Sequence, residues 1–180
     1  MSDMISRNIF LIGPMGSGKT AVGRQLARQL KLEFIDSDAE IEHRTGVDIP
    51  YIFEKEGEEG FREREREVID SLTQLTNIVI ATGGGAILRP ENREHLSTRG
   101  TVVYLQTGIE QQLERTRHGR QRPLLYTDDP EAMLRELMQL RLPIYESLAD
   151  ITVATDGRQV RAVTEEIIEK LKETVGCSAG

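Results

Sequence analysis

Cysteine is almost absent from this sequence. Cys177 is the only cysteine in 180 residues, which excludes an intramolecular disulfide and any metal site built from several cysteines. No apolar run approaches the ~18 residues that a membrane-spanning helix requires. Residues 1–7 lack the basic and then apolar pattern of a secretory signal. Together these absences predict a cytosolic protein with no membrane partner.

Positive charge is also in deficit. The chain has 23 Lys and Arg against 30 Asp and Glu, a net charge of −7. This balance argues against general binding to nucleic acids or anionic membranes, because both surfaces would repel the molecule. A length of 180 residues is typical of a single domain. Since the sequence shows no long exposed apolar stripe, we expect a monomer.

Five short runs rich in β-branched residues alternate with amphipathic helical segments. The runs predict strands at residues 8–12, 33–35, 77–81, 101–105 and 151–154. The clearest predicted helices are 21–30, 130–148 and 159–175. Strands that alternate with helices pair in parallel through right-handed crossovers. The sequence therefore predicts an α/β fold, a three-layer α/β/α sandwich around a five-stranded parallel sheet.

Two segments interrupt this alternation. Residues 38–75 contain no convincing strand and predict a helical insert between the second and third strands. Residues 117–129 carry charge, glycine and proline without periodicity and predict a lid loop. Ligands of open α/β sheets bind beyond the carboxyl ends of the strands. We therefore expect both segments, within one domain of residues 1–180, to close over a ligand at that edge.

A phosphate-binding loop follows the first predicted strand. Residues 13–20 match G-x-x-x-x-G-K-[ST], a pattern whose backbone N–H groups turn onto phosphate oxygens at the start of a helix. Lys19 would reach the β- and γ-phosphates, and the Thr20 hydroxyl would bind Mg²⁺. The segment predicts a nucleoside triphosphate site that comprises Gly13, Gly16, Ser17, Gly18, Lys19, Thr20 and Ala21.

Two carboxylates follow the second predicted strand. Asp36 would hold Mg²⁺ through water, and Asp38 would orient or deprotonate an acceptor hydroxyl. As an alternative, Asp38 would be the N-cap of a helix over residues 39–44. No acidic residue closes the third predicted strand, so the carboxylate that motors and switches carry there is missing. Asp36 is therefore the best candidate for the metal.

Three glycines, Gly83, Gly84 and Gly85, follow the third predicted strand. Without side chains they would let a ligand approach the backbone, whereas the alternative is a flexible turn. The run of alternating charge at 61–67 is expected to be mostly solvated helix surface, with ion pairs such as Glu58–Arg62 and Arg62–Glu65.

A positive island lies in and before the predicted lid, at Arg115, Arg117, Arg120 and Arg122. A lid arginine would offset the charge that develops on a transferred phosphoryl group. The alternative is a nucleic-acid patch, but this segment lacks interleaved aromatic residues.

Taken in order, these motifs resemble those of the shikimate kinases, from about residue 7 to about residue 171. They are Gly13–Thr20, Asp36-Ser37-Asp38, Phe61-Arg62 with Glu65, Gly83-Gly84-Gly85, Arg122-Pro123-Leu124-Leu125 and Arg141-Leu142-Pro143-Ile144-Tyr145. The resemblance implies a P-loop kinase of the nucleoside-monophosphate-kinase type. Its members use ATP with Mg²⁺ to phosphorylate the 3-hydroxyl of shikimate, on the route to chorismate and the aromatic amino acids.

The resemblance also implies roles for individual residues. Asp38 would contact the ring hydroxyls and act as the base, while Arg62 and Arg141 would clamp the substrate carboxylate. The remaining implied contacts are Gly83, Gly84 and Gly85 to substrate, Lys19 and Arg122 to the transferred phosphate, Thr20 and Asp36 to Mg²⁺, and Arg115 and Arg158 to adenine. Two rival functions stay open, a kinase for another small hydroxy acid such as gluconate and an ATP-binding regulator without activity.

Overall fold

The computed structural model describes residues 8–117 and 127–177. The elements, in chain order, are β1 (Asn8–Ile12), α1 (Lys19–Leu30), β2 (Glu33–Asp36), α2 (Ser37–Thr45), α3 (Ile49–Thr73), β3 (Ile78–Ala81), a 3₁₀ turn (Ala86–Leu88), α4 (Pro90–Arg99), β4 (Gly100–Gln106), α5 (Ile109–Thr116), α6 (Pro130–Leu148), β5 (Ile151–Ala154) and α7 (Val160–Cys177). None of the described helices is long and apolar enough to cross a membrane.

The five strands form one parallel sheet in the order β2-β3-β1-β4-β5. This confirms the predicted α/β fold and the number of strands. Ala81 pairs with Leu11 on one side and with Asp36 on the other. The carboxyl ends of β1, β2 and β3 therefore lie side by side, which brings the segments that follow them to one edge of the sheet.

The sheet is buried on both faces because its side chains alternate between two apolar clusters. Phe10 and Ile12 pack in a cluster with residues of α2, α3, α4 and α6. Ile9 and Leu11 pack on the opposite face with residues of α1 and α7. These four side chains of β1 have no exposed area, and each contributes on the order of 2 kcal/mol through burial. The sheet is thus a rigid base for the loops at its edge.

The segment predicted as a helical insert consists of α2 and α3. Helix α3 is interrupted at Gly57, whose φ of 72° lies in the left-handed region that favours glycine. The alternative that Asp38 caps a helix at its start is wrong. Asp36 occupies the N-cap position of α2, and its side chain accepts hydrogen bonds from the backbone N–H groups of Asp38 and Ala39. Asp38 lies in the first turn.

Part of the predicted lid falls outside the described residues. The described chain stops at Arg117 and resumes at Thr127. Arg120 and Arg122, together with His118, lie outside the described residues.

Candidate active site

The loop of residues 13–20 wraps around the ammonium group of Lys19. Its Nζ donates to the carbonyl oxygens of Gly13 at 2.7 Å and Pro14 at 2.8 Å, and to Oγ of Ser17 at 3.3 Å. Lys19 is also the first residue of α1, and Gly18 caps that helix with a φ of 87°. The loop therefore joins a positive charge to the positive end of a helix dipole, which is a binding place for phosphate.

A short hydrogen bond connects this loop to the neighbouring strand. The Thr20 hydroxyl donates to Oδ2 of Asp36 at 2.8 Å, and the other carboxylate oxygen caps α2, with Asp38 N at 2.9 Å and Ala39 N at 3.1 Å. Each oxygen of Asp36 thus has a separate role. The hydroxyl and carboxylate oxygens fit Mg²⁺, which binds a few protein oxygens and keeps several waters and phosphate oxygens. In the described part of the chain no cluster of three His, Cys, Asp or Glu offers a fuller metal cage.

The triple-glycine turn leaves room for charged side chains from other elements. A methyl group on Gly83 would lie 2.8 Å from Oδ1 of Asp38 and 2.9 Å from Oε2 of Glu65. On Gly84 it would lie 3.3 Å from Nη1 of Arg141 and 3.5 Å from the backbone nitrogen of Met15. The glycines therefore have a role that the sequence did not reveal, because they admit the side chains of the site as well as a ligand.

Arg62 is buried beside the same turn. A methyl group on Gly85 would lie 2.6 Å from its Cζ. Its Nη1 donates to Oε1 of Glu65 at 2.9 Å, and its Nη2 lies 3.4 Å from Glu58. Burial opposes its charge, but Glu65 and Glu58 outweigh that effect and hold the pKa of Arg62 above its usual value. Within the described residues, Nε of Arg62 and Oε2 of Glu65 are buried without hydrogen-bond partners.

Arg141 is a second buried cation, 3% exposed, on α6. Among the described residues no carboxylate forms an ion pair with it, in contrast to Arg62. Burial lowers the pKa of Arg141, and the nearby Arg62 lowers it further, whereas Tyr145 and Glu65 raise it. The site therefore holds one positive charge that is paired and one that lacks a carboxylate partner in the described protein.

One cavity of about 680 Å³ connects the phosphate loop with the triple-glycine turn. It is lined by most of the predicted site residues, namely Gly16, Ser17, Gly18, Lys19, Thr20, Ala21, Asp36, Asp38, Gly83, Gly84 and Arg115. Arg115 donates to the carbonyl oxygen of Gly16 at 3.0 Å. Arg158 instead turns towards α7, where it pairs with Glu166, and it does not line this cavity. Arg122 lies outside the described residues.

Two residues stand at the site without a functional role predicted from the sequence, although the sequence does predict the Arg62–Glu65 ion pair. Glu65 is 1% exposed and pairs with Arg62, although the run at 61–67 was expected to be mostly solvated. Tyr145 is fully buried and donates to the carbonyl oxygen of Gly84. The sequence signal for both was their position in the motifs, three residues after Arg62 and four residues after Arg141.

Comparisons with known proteins agree with this geometry. The family model described as shikimate kinase matches residues 15–172. The shikimate kinase of Legionella pneumophila (strain Corby) is 57% identical over 171 residues, which cover 95% of this chain and 98% of that protein. The shikimate kinase of Vibrio cholerae (strain O395) is 55% identical over 169 residues, covering 94% and 97%.

Solved structures give the same result. The shikimate kinase from Acinetobacter baumannii in complex with shikimate superposes with a TM-score of 0.92, at 50% identity and 94% coverage of both chains. A gluconokinase from Sinorhizobium meliloti has a TM-score of 0.61 at 15% identity, which shows a shared fold alone.

The parallel sheet, the phosphate loop and the neighbouring charged cavity define the class, a P-loop kinase with the nucleoside-monophosphate-kinase type of fold. At this level of identity and coverage the assignment goes further. The chain belongs to the shikimate kinase family.

Proposed function

We propose that the cavity at this sheet edge is where the chain transfers the γ-phosphoryl group of ATP to the 3-hydroxyl of shikimate. The activity follows from membership of the family, and the residue roles are our proposal. The observation that supports these roles is the packing around the triple-glycine turn. Asp38 and Glu65 lie against its first glycine, and Arg62 lies against its third. Its second glycine lies between Arg141 and Met15 of the phosphate loop. The acceptor side chains thus stand next to the phosphate loop.

The phosphate half of the site consists of residues 13–20 with Asp36. Lys19 exchanges its carbonyl partners in the loop for the β- and γ-phosphates when the nucleotide binds. Thr20 and Asp36 hold Mg²⁺, which neutralises phosphate charge when it is bound. Gly16, Ser17, Gly18 and Ala21 line the same cavity, and Arg115, which donates to Gly16, contacts the adenine side.

The acceptor half of the site has the chemistry that a small hydroxylated acid requires. Shikimate carries one carboxylate and three hydroxyls, so its recognition needs charged hydrogen bonds rather than apolar contact. Arg141, which has no carboxylate partner among the described residues, supplies the net positive charge for the substrate carboxylate. Arg62, held in place by Glu65, supplies further donors, including its unpartnered Nε.

The reaction needs one proton acceptor beside the 3-hydroxyl. Asp38 takes the proton as the hydroxyl oxygen attacks the γ-phosphorus, and the bond from that phosphorus to the β–γ bridging oxygen breaks to release ADP. Positioning of both substrates in line, together with stabilisation of the developing charge, supplies most of the catalytic effect in phosphoryl transfer. Arg122 is proposed from the resemblance alone to bind the transferred phosphate, as is Arg158 to lie near the adenine. The monomeric state and the cytosolic location stay predictions from the sequence.

The decisive experiment measures ADP release from ATP and Mg²⁺ with shikimate, gluconate, AMP or no acceptor added in turn. We expect release that depends on shikimate alone. Release that depends on gluconate, or nucleotide binding with no acceptor-dependent release, would overturn the proposal in favour of another kinase or a regulator.

The carboxylate clamp is tested by Arg62→Ala and Arg141→Ala. Each variant should lower kcat/KM for shikimate by at least about 100-fold, because it removes a charged hydrogen-bond donor from a buried site, while ATP affinity stays within about twofold of wild type. Arg64→Ala is the matched control. Arg64 lies on the same helix and pairs with Glu56, but both side chains are exposed, at 43% and 38%. Equal loss of ATP and shikimate affinity would contradict the clamp.

A further inference from the structure

Tyr145 connects α6, which carries Arg141, with the triple-glycine turn. It lies on α6 one helical turn after Arg141, and its side chain has no exposed area. Its hydroxyl donates to the carbonyl oxygen of Gly84 at 2.5 Å. A buried tyrosine needs a partner for its hydroxyl, and here that partner is the middle residue of the triple-glycine turn.

Arg141 lies four residues before Tyr145 on the same side of α6, and its charge acts on the Tyr145 hydroxyl. Nη1 of Arg141 in turn lies 3.3 Å from the position of a methyl group on Gly84. Arg62 is fixed by Glu65 and Glu58, but in the described part of the chain Arg141 has no carboxylate to fix it. The Tyr145 hydroxyl is therefore the neutral group available to orient this buried cation.

We infer that Tyr145 is a positioning residue, whose hydroxyl holds Arg141 and the Gly84 carbonyl in the arrangement that binds the substrate carboxylate. The inference rests on the proposed function, in which Arg141 binds that carboxylate. Tyr145 does not touch the reacting atoms. It acts on the substrate only through Arg141 and the turn. Loss of its hydroxyl should therefore weaken the binding of shikimate and leave the binding of ATP unchanged.

A purely structural role for Tyr145 is the alternative, because its ring stacks on Tyr104. The two ring centroids are 5.1 Å apart and the ring planes differ by 14°. Tyr104 provides the matched control. It is also buried, at 1% exposure, but among the described residues its hydroxyl has no hydrogen-bond partner. Phenylalanine at either position keeps the stacked ring and removes only a hydroxyl.

The test compares Tyr145→Phe with Tyr104→Phe in the ADP-release assay. We expect Tyr145→Phe to raise KM for shikimate about tenfold, since hydrogen bonds to charged groups are among the stronger ones. Its KM for ATP should stay within twofold, and Tyr104→Phe should leave both constants within twofold. A Tyr145→Phe enzyme whose KM for shikimate changes less than twofold, or whose two KM values rise together, overturns the inference. A variant that no longer folds does so too, because the hydroxyl would then be a structural group.

A double variant separates positioning of Arg141 from an independent effect. Added to Arg141→Ala, Tyr145→Phe should change kcat/KM for shikimate by less than twofold, because the group that it orients is gone. A further tenfold loss in the double variant would overturn the inference. If wild-type protein shows no shikimate-dependent release of ADP, the proposed function itself fails. If wild type is active and Tyr145→Phe matches it, only the inference fails.

Discussion

Alanine in place of Gly85 would test the packing of the acceptor site directly. The new methyl group would lie 2.6 Å from Cζ and 2.7 Å from Nη1 of Arg62, well inside ordinary contact distance. The backbone of Gly85, at φ −98° and ψ 6°, is open to alanine, so no backbone strain is added. An effect of Gly85→Ala on stability therefore comes from displacement of the Arg62 guanidinium.

The size of the effect follows from how firmly Arg62 is held. A methyl group requires about 3.4–4 Å of separation from other heavy atoms, so the guanidinium must move by about 1 Å. Its side chain is 8% exposed and that of Glu65 is 1% exposed, which leaves little room to move without weakening the 2.9 Å ion pair. Overpacking of this kind costs about 1–3 kcal/mol of unfolding free energy. For a chain of this size, about 2 kcal/mol lowers the melting temperature by about 4–8 °C.

Two assays check this prediction. Thermal unfolding should show the lower melting temperature, and KM for shikimate should rise at least about tenfold while KM for ATP stays within twofold. Gly176→Ala is the control, because Gly176 lies in α7 and a methyl group there meets no atom within 4 Å; it should be neutral or slightly stabilising. In an Arg62→Ala background, Gly85→Ala should have no effect. Wild-type stability and wild-type KM in the single variant would refute the reasoning.

Two further predictions concern the phosphate half of the site. Lys19→Ala should lower kcat/KM at least about 100-fold with any acceptor, since it removes a preorganised positive charge from the phosphates; an active variant, by ADP release, would mean that the loop has been misinterpreted. Asp36→Asn should raise the Mg²⁺ concentration needed for half-maximal rate about tenfold and leave the melting temperature within about 2 °C, because asparagine caps helices as well as aspartate does. A large loss of stability with unchanged Mg²⁺ dependence would show that Asp36 serves only as the cap of α2.

Much of the fold could be predicted because its signals are local. β1, β5 and α6 have the bounds that the sequence predicts, β2 and β3 differ from the prediction by one residue at one end, and β4 is longer by one residue at each end. β-branched runs and amphipathic periods depend on residues within a few positions of each other. The phosphate loop is predictable for the same reason, because all eight of its positions are contiguous. The order of the strands was not predicted, since it depends on pairings between distant segments.

The acceptor site shows where local signals end. In the run at 61–67, arginine and glutamate alternate so regularly that nothing in the run distinguishes Arg62 and Glu65 from their neighbours. Packing against the triple-glycine turn decides that these two are buried while Arg64 stays exposed. The residue that caps α2 was also not decided by local signals. The sequence pattern leaves Asp38 as a candidate cap, whereas in the structure Asp36 caps the helix and also accepts the hydrogen bond from Thr20.

The sequence by itself therefore determined the α/β class, the nucleotide loop and the set of charged residues available for an acceptor. Only the tertiary structure decided which of these charges are buried, with Arg62 and Glu65 as a buried ion pair and Arg141 buried without a carboxylate partner among the described residues. The reason is physical. Burial and pairing energies depend on contacts between Gly83–Gly85, α3 and α6, which are distant in the chain and meet only when the sheet has formed.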